Sequence, residues 1–280
     1  MKYKYILGLS GGVDSSFALH VMRNEDIVAV SFDNGWDTDI AKENARKMCL
    51  KTGIKHKVYT CDLKEFREIQ RAFLLAGTPH GETPTDIAIH KTLLNAMKEF
   101  GAEKIITGNT KSEGKIPYGW SCADGWYLKD IVRKFGRVKL KTFPNMSFFD
   151  DLKYRKVKWN ILDDIDYDPV NAKKFLKKEY GWQDYSTKHY ESIYTKFNQG
   201  LRYWKYGLDM RRVELKHEYD LTKPPYSKTG FIKLGTEICD KLDLDFDELM
   251  DLPTRDWKEF KSYRKWVGRI KRLLKKEKLK

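Results

Sequence analysis

An α/β fold is predicted, with a doubly wound and mostly parallel sheet in the first half and a mainly helical C-terminal region. Three observations predict it. The apolar run Tyr5-Ile6-Leu7-Gly8-Leu9 leads into the loop Ser10-Gly11-Gly12-Val13-Asp14-Ser15-Ser16 and then into a helical pattern. Strand-like and helix-like segments alternate up to about residue 145, as crossover connections of a parallel sheet require. Beyond that point the strand alternation disappears, and Lys- and aromatic-rich helical segments replace it.

Each element has a local reason. Strands are expected at 4–9, 27–32, 55–59 and 103–107, where apolar and β-branched residues cluster. Helical spacing runs over 38–52, with Gly53 as its stop. A further helix is expected over 84–100: Thr83 suits the N-cap, Pro84 the first turn, Asp86 the positive helix end and Gly101 the terminus. Segments 150–162, 169–180 and 189–207 read as helical. Pro224-Pro225 breaks the chain, and Glu237–Leu252 reads as a short helical pair. The division expected is 1–147 for the nucleotide domain and 148–280 for a substrate- or partner-binding region.

Ligands of open parallel sheets bind beyond the carboxyl ends of the strands. Ser10–Ser16, Asp33–Asp37 and Gly108–Gly114 all follow strands on that edge, so one site is expected there. Adjacent glycines allow a sharp bend and close ligand approach. The helix that follows adds free N–H groups and a positive end suited to phosphate. The loop is neither a Gly-Lys-Ser/Thr P-loop nor a Gly-x-Gly-x-x-Gly dinucleotide fingerprint.

Composition narrows the class. The chain of 280 residues is 41% hydrophobic and 34% charged, without an apolar run near the roughly 20 residues of a membrane span. No signal-peptide core opens it, so a cytoplasmic protein is expected. Cys49, Cys61, Cys122 and Cys239 form no Cys-x-x-Cys pair, which argues against zinc-ribbon or iron–sulfur ligation and against sulfur transfer. The formal charge of +14 is concentrated after residue 254, where twelve Lys/Arg face three acids. It therefore implies no nucleic-acid-binding face on the body. The apolar stripe Trp257, Phe260, Tyr263, Val267, Ile270 and Leu274, flanked by basic residues, suits packing on the chain itself or peripheral contact with an anionic membrane.

Ser-Gly-Gly-x-Asp-Ser resembles the PP-loop of the N-type ATP pyrophosphatases. That resemblance implies cleavage of ATP between its α- and β-phosphates, adenylation of a substrate oxygen, and release of pyrophosphate. It implies nucleotide contacts from Ser10, Gly11, Gly12, Asp14, Ser15 and Ser16, from Phe32 and Asn34, and from Gly108 and Asn109. It also implies Mg2+ on Asp14 and Glu113, with Lys111 neutralising phosphate charge and Ser15 beside the reacting phosphates.

Further blocks narrow the resemblance. Pro84-Thr85-Asp86, Ile116-Pro117 with Trp120, Val138–Pro144, Gly181–Tyr185, Lys188–Thr195 and Gly207–Arg212 run in order and are similar to the N-acetyl sugar amidotransferases of surface-glycan, flagellin-glycan and archaeal glycan synthesis. This implies an acetamido-to-acetamidino conversion on a nucleotide-activated sugar. The implied substrate contacts are Thr85, Asp86, Trp120, Lys141, His189, Tyr190, Glu191, Arg211 and Arg212. Ammonia would come from a separate glutaminase, alongside a cyclase-like barrel subunit; a homodimer is also compatible. The competing readings are a tRNA-modifying PP-loop enzyme and a nucleotide-binding partner without turnover.

Overall fold

The computed structural model describes residues 2–111, 124–185, 190–213 and 220–267. Its strands are Tyr5–Gly8 (β1), Ile27–Asp33 (β2), Lys55–Thr60 (β3), Lys104–Thr107 (β4) and Lys158–Asn160 (β5). They form one sheet in the order β3-β2-β1-β4-β5, and every pairing is parallel. β1 is central because it is apolar on both faces. Tyr5 and Leu7 pack in one cluster with Val13, Leu19 and Met48, whereas Ile6 packs in the other with Phe66, Ile87 and Leu93. Near-continuous apolar strands are what two-sided burial demands.

One face carries Val13–Val21 (α1), Asp39–Thr52 (α2) and Pro169–Tyr180 (α7). The other carries Leu63–Leu75 (α3), Thr83–Glu99 (α4), Gly125–Phe135 (α5), Phe148–Val157 (α6) and Ile193–Trp204 (α8), with Lys228–Lys241 (α9) and Phe246–Asp251 (α10) outside them. The helix ends obey local chemistry. Thr38, Asp62, Asp124, Ser147, Asp168, Ser192, Ser227 and Asp245 each cap a first turn through a side-chain oxygen. Gly53 and Gly181 close α2 and α7 in the left-handed conformation.

Three expectations need correction. Segment 150–162 is not one helix: α6 ends at Val157, and Lys158–Asn160 turns into the sheet edge beside β4. Residues on both sides of position 147 therefore share one sheet. Thr83 is not the N-cap of α4. Glu82 holds that position without a side-chain cap, and the Thr83 hydroxyl meets His80 Nδ1 at 3.2 Å instead. Helices α3 and α5 complete the layer although no expectation covered them. Each has an aspartate N-cap, Asp62 or Asp124.

Loops are fixed by buried polar clips. The Glu65 carboxylate accepts the backbone N–H groups of Lys141 and Thr142 at 2.6 and 2.8 Å, and the Thr142 hydroxyl at 2.5 Å. Burial alone would raise its pKa, but these hydrogen bonds outweigh burial and hold it below the usual range. Past residue 254, Phe260 and Tyr263 are buried, and their rings meet Tyr127 and Trp126 of α5 edge-on. The described part of the C-terminal stripe thus packs on its own chain.

Gly11 adopts φ +81°, and a Cβ there would stand 2.0 Å from the Ala41 carbonyl oxygen. Gly53 is also left-handed but has open space around it. In chemical denaturation, Gly11→Ala is expected to cost about 3 kcal/mol or more, against about 1 kcal/mol for Gly53→Ala. Equal losses would show that only backbone conformation matters at Gly11.

Candidate functional site

β1 delivers the chain to the carboxyl edge, where Ser10–Gly12 bends into α1. The Ser15 hydroxyl closes the bend, lying 3.2 Å from the Ser10 amide, 3.1 Å from Ser10 Oγ and 3.3 Å from the Gly12 carbonyl. The Gly11 carbonyl points away and accepts Trp182 Nε1 at 2.9 Å and Asn44 Nδ2 at 3.4 Å. Gly12 is the N-cap of α1 and has no side chain to satisfy that helix's first amides. The helix end therefore opens onto a cavity of about 570 Å³.

That cavity gathers all three loops expected at the strand ends. Ser10, Gly12, Asp14 and Ser15 form one side; Phe32 lies at the end of β2, and Asn34 and Asp37 follow it; Gly108 and Asn109 follow β4. Gly108 is required by close approach, since a Cβ would stand 2.6 Å from the Ser15 amide nitrogen. Asn34 shapes its own turn by accepting the Trp36 amide at 3.0 Å. Phe32 is buried against Phe66. Asp14 takes a hydrogen bond from the Tyr167 hydroxyl, a contact from the segment entering α7.

The opposite wall comes from α4 and from the segment before α8. Glu82, Thr85, Asp86 and His90 line it from α4, and Tyr185, Glu191, Ser192 and Thr195 complete it. This second segment is sewn to the β2 loop: the Thr38 amide donates to the Glu191 carbonyl at 2.7 Å, and the Ile193 amide to the Trp36 carbonyl at 3.0 Å. Glu191 Oε1 consequently reaches the PP-loop, where it accepts from Ser10 Oγ at 3.4 Å. The Tyr185 hydroxyl lies over Gly12 as well and faces the Val13 amide.

The electrostatics of the wall are acidic and dehydrated. Burial, reinforced by Asp33 and Glu191 and opposed by Lys42, pushes the Asp37 carboxyl up to about 7. Burial likewise pushes Glu82 up to about 7, with Asp86 reinforcing it and Arg202 opposing it. His90, enclosed and stacked 4.1 Å from the Tyr154 ring, is pushed down to about 3 by burial first, then by Lys158 and Arg155. It is therefore neutral at physiological pH. The Thr85 and Thr195 hydroxyls face the Glu82 carboxyl, while His90 Nδ1 and Glu191 Oε2 have no hydrogen-bond partner among the described residues.

Not every residue expected at the site lies there. Gly11 and Ser16 stand behind the loop, holding its shape, with Ser16 fully buried. Lys111 is exposed, outside the lining, and its amide donates to Asp163 Oδ1 at 2.7 Å. Lys141 sits in the Glu65 clip. Tyr190 is buried beside the site with Lys196 over its ring. Arg211 is engaged by Asp209 through two hydrogen bonds and by the Asp220 and Lys223 carbonyls, and Arg212 is exposed; neither lines the cavity. Glu113, Trp120, Cys122 and His189 lie outside the described residues. Sequence reasoning missed Asp37, Glu82, His90 and Tyr167. Asp37 lay inside a loop already singled out and Glu82 just before Pro84-Thr85-Asp86, whereas His90 and Tyr167 carry no signal short of the fold.

A Gly-Gly loop opening an uncapped helix at the carboxyl edge of a parallel sheet defines an α/β protein of the PP-loop type. Comparison with known proteins agrees. A family model described as Queuosine biosynthesis protein QueC matches residues 4–83. The tRNA-specific 2-thiouridylase MnmA 2 of Fusobacterium nucleatum is 28% identical over 118 residues, covering 39% of this chain and 34% of that protein. The tRNA-specific 2-thiouridylase MnmA of Legionella pneumophila is 30% identical over 142 residues, covering 44% and 39%. The chain thus spans little more than a third of the length of these curated relatives. Among solved structures, the NH3-dependent NAD synthetase from Campylobacter jejuni aligns with a TM-score of 0.37 at 15% identity, over 90% of this chain and 89% of that one. The family model and the curated relatives support a PP-loop ATP pyrophosphatase type for the first part of the chain.

The raised pKa of Asp37 has a defined sign. A carboxyl held above its unfolded value near 3.8 binds its proton more tightly when folded, so stability falls as pH rises from about 4 to about 7. Asp37→Asn is expected to stabilise the protein by about 2 kcal/mol at pH 8, and by little at pH 4. A stabilisation independent of pH across urea melts would contradict the assignment.

Proposed function

We propose that the chain is an ATP-dependent amidotransferase that converts the acetamido group of a nucleotide-activated N-acetyl sugar to an acetamidino group. The observation that carries this reading is the pairing, across one cavity, of an anion-seeking helix end with a wall of carboxyl and hydroxyl groups. Pyrophosphate suits the first, through the amides and the positive pole of α1. Sugar hydroxyls and an incoming amine suit the second, at Thr85, Asp86 and Glu191. The ordered second-half blocks supply the choice of sugar chemistry.

An amide oxygen is a poor leaving group, so it must first be activated. In the proposed step the acetamido oxygen attacks the α-phosphorus, the bond to the β-phosphate bridging oxygen breaks, and pyrophosphate leaves into the PP-loop. Ammonia then adds to the imidate carbon, and AMP departs with the former amide oxygen. The role assigned to Ser10, Ser15 and the loop amides is to orient the departing diphosphate. Neutral ammonia has the lone pair that ammonium lacks, which suits delivery from a separate glutaminase into a sheltered site.

Mg2+ fits this chain as a substrate-borne ion. Among the described residues no group of three or more His, Cys, Asp or Glu side chains could hold a metal. Magnesium ordinarily takes one or two carboxylates plus phosphate oxygens and keeps several waters. Asp14, on the cavity side of α1, would hold it, with Glu113 as the second candidate, and the ion would neutralise charge developing on the pyrophosphate.

A tRNA-modifying role is the second reading, and the 2-thiouridylase relatives favour it. The described cysteines weigh against sulfur transfer. Burial pushes the Cys49 and Cys239 thiols up to about 12 and Cys61 up to about 11, where little thiolate exists at neutral pH.

Incubation with ATP, ammonium and UDP-N-acetyl or CMP-nonulosonate sugars is expected to release AMP and pyrophosphate. The sugar product should be lighter by the difference between O and NH. Turnover with tRNA alone would favour the second reading, and ADP as the nucleotide product would exclude both. In the same assay, folded Asp14→Asn is expected to lose about 100-fold or more of AMP formation.

A further inference from the structure

Three helical segments meet at one outer corner of the molecule, and each turns an aromatic or aliphatic side chain to solvent. On α5, Trp126 is 48% exposed; on α6, Phe149 is 76% and Leu152 48% exposed; on the turn 263–267, Trp266 is 54% exposed. Buried Tyr263 is the hub. Its ring lies 6.0 Å from Trp126 and 5.4 Å from Phe148, which in turn lies 5.6 Å from Phe149. Singly exposed apolar residues are ordinary, but a contiguous group of this size marks a contact surface.

The charge around this corner is one-sided for a structural reason. Its acids are buried or paired: Asp124 caps α5 and bonds Ser262, Asp130 pairs with Arg133 and Lys134, half-buried Asp150 pairs with Lys91, and Asp151 pairs with Arg155 and Arg264. Exposed Lys129 and Arg133 follow Trp126 on α5 at spacings of three and seven. Exposed Lys153 and Lys156 follow Phe149 on α6 at spacings of four and seven. The sequence continuing from Trp266 through residues 268–280 carries seven Lys/Arg against Glu277, interspersed with Ile270, Leu273, Leu274 and Leu279.

We propose that this corner is the face by which the protein docks on an anionic phospholipid bilayer. Tryptophan and phenylalanine seat at the headgroup boundary, aliphatic side chains enter the acyl region, and surrounding Lys/Arg pair with lipid phosphates. Nucleic acid would use the cations and could stack on the aromatic rings, but it offers nothing to Leu152. Membrane attachment therefore accounts for more of the surface than RNA does. Among the described residues no helix is long and apolar enough to cross a membrane, so the contact would be peripheral.

The test uses the full chain in vesicle co-sedimentation, with phosphatidylcholine vesicles compared with vesicles of phosphatidylcholine and ~30% phosphatidylglycerol. Binding is expected to the anionic vesicles and to weaken with salt. It should fall at least about tenfold in Phe149→Ser/Leu152→Ser/Trp266→Ser with unchanged circular dichroism. The single variant Phe149→Ser, at the most exposed site, serves if the triple variant does not fold. Lys153→Glu/Lys156→Glu should weaken binding while leaving the apolar group intact. Failure to bind anionic vesicles, equal binding to neutral ones, or undiminished binding by the variants would overturn the proposal. So would loss of bulk tRNA binding in these variants without vesicle binding by the parent chain.

Discussion

The carbonyl of Gly11 must point away from the ligand side of its loop, and much of the site depends on that single orientation. Trp182 Nε1 and Asn44 Nδ2 hold the carbonyl from behind, and Asn44 also exchanges two hydrogen bonds of 2.8 Å with the backbone of Gln183. With the carbonyl pinned outward and Ser15 closing the bend, the amides at the start of α1 open onto the cavity. The constraint is steric as well as polar. Ala41 of α2 lies so close that only glycine fits at position 11, and the open helix end follows from the absence of a capping side chain at Gly12. A segment more than 130 residues away thus sets the shape of the first loop.

A second set of contacts joins the walls of the cavity. The backbone exchange between Trp36–Thr38 and Glu191–Ile193 fastens the start of α8 to the loop after β2. It brings Glu191 over the PP-loop and sets its charge against Asp37. Burial raises carboxyl pKa values and neighbouring like charges reinforce it, and here burial first, then the nearby acids, leave Asp37 and Glu82 ionising near neutrality. In the proposed reading such a wall would suit a triphosphate accompanied by a divalent cation, with donors rather than acceptors on the far side. The amidotransferase reading draws on this asymmetry.

Much of the fold was legible because its signals are local. Four strands fall within a residue or two of their expected bounds: β1, β2 and β4 are buried apolar runs, whereas edge strand β3 is a mixed, largely exposed segment. Gly53, Pro84, Gly101 and Pro169 punctuate helices by backbone chemistry alone. β5 was not legible: three residues at a sheet edge carry too little pattern to compete with the helical spacing around them, and only pairing with β4 makes them a strand. Of the site, the three loops at the strand ends were legible because topology alone gathers them. Arg211 was misleading for the opposite reason. Its residue type suits phosphate, yet Asp209 two positions away takes its guanidinium.

The sequence by itself determined the phosphate-type loop and the parallel α/β architecture, because glycine freedom, apolar runs and capping residues act over a few neighbouring positions. Only the tertiary structure decided which polar groups share the cavity. It placed Glu82, His90 and Glu191 together, left Lys141 in a structural clip, and gathered Trp126, Phe149 and Trp266 at one corner. Burial and charge proximity depend on segments far apart in the chain, and no local pattern encodes the distance between them.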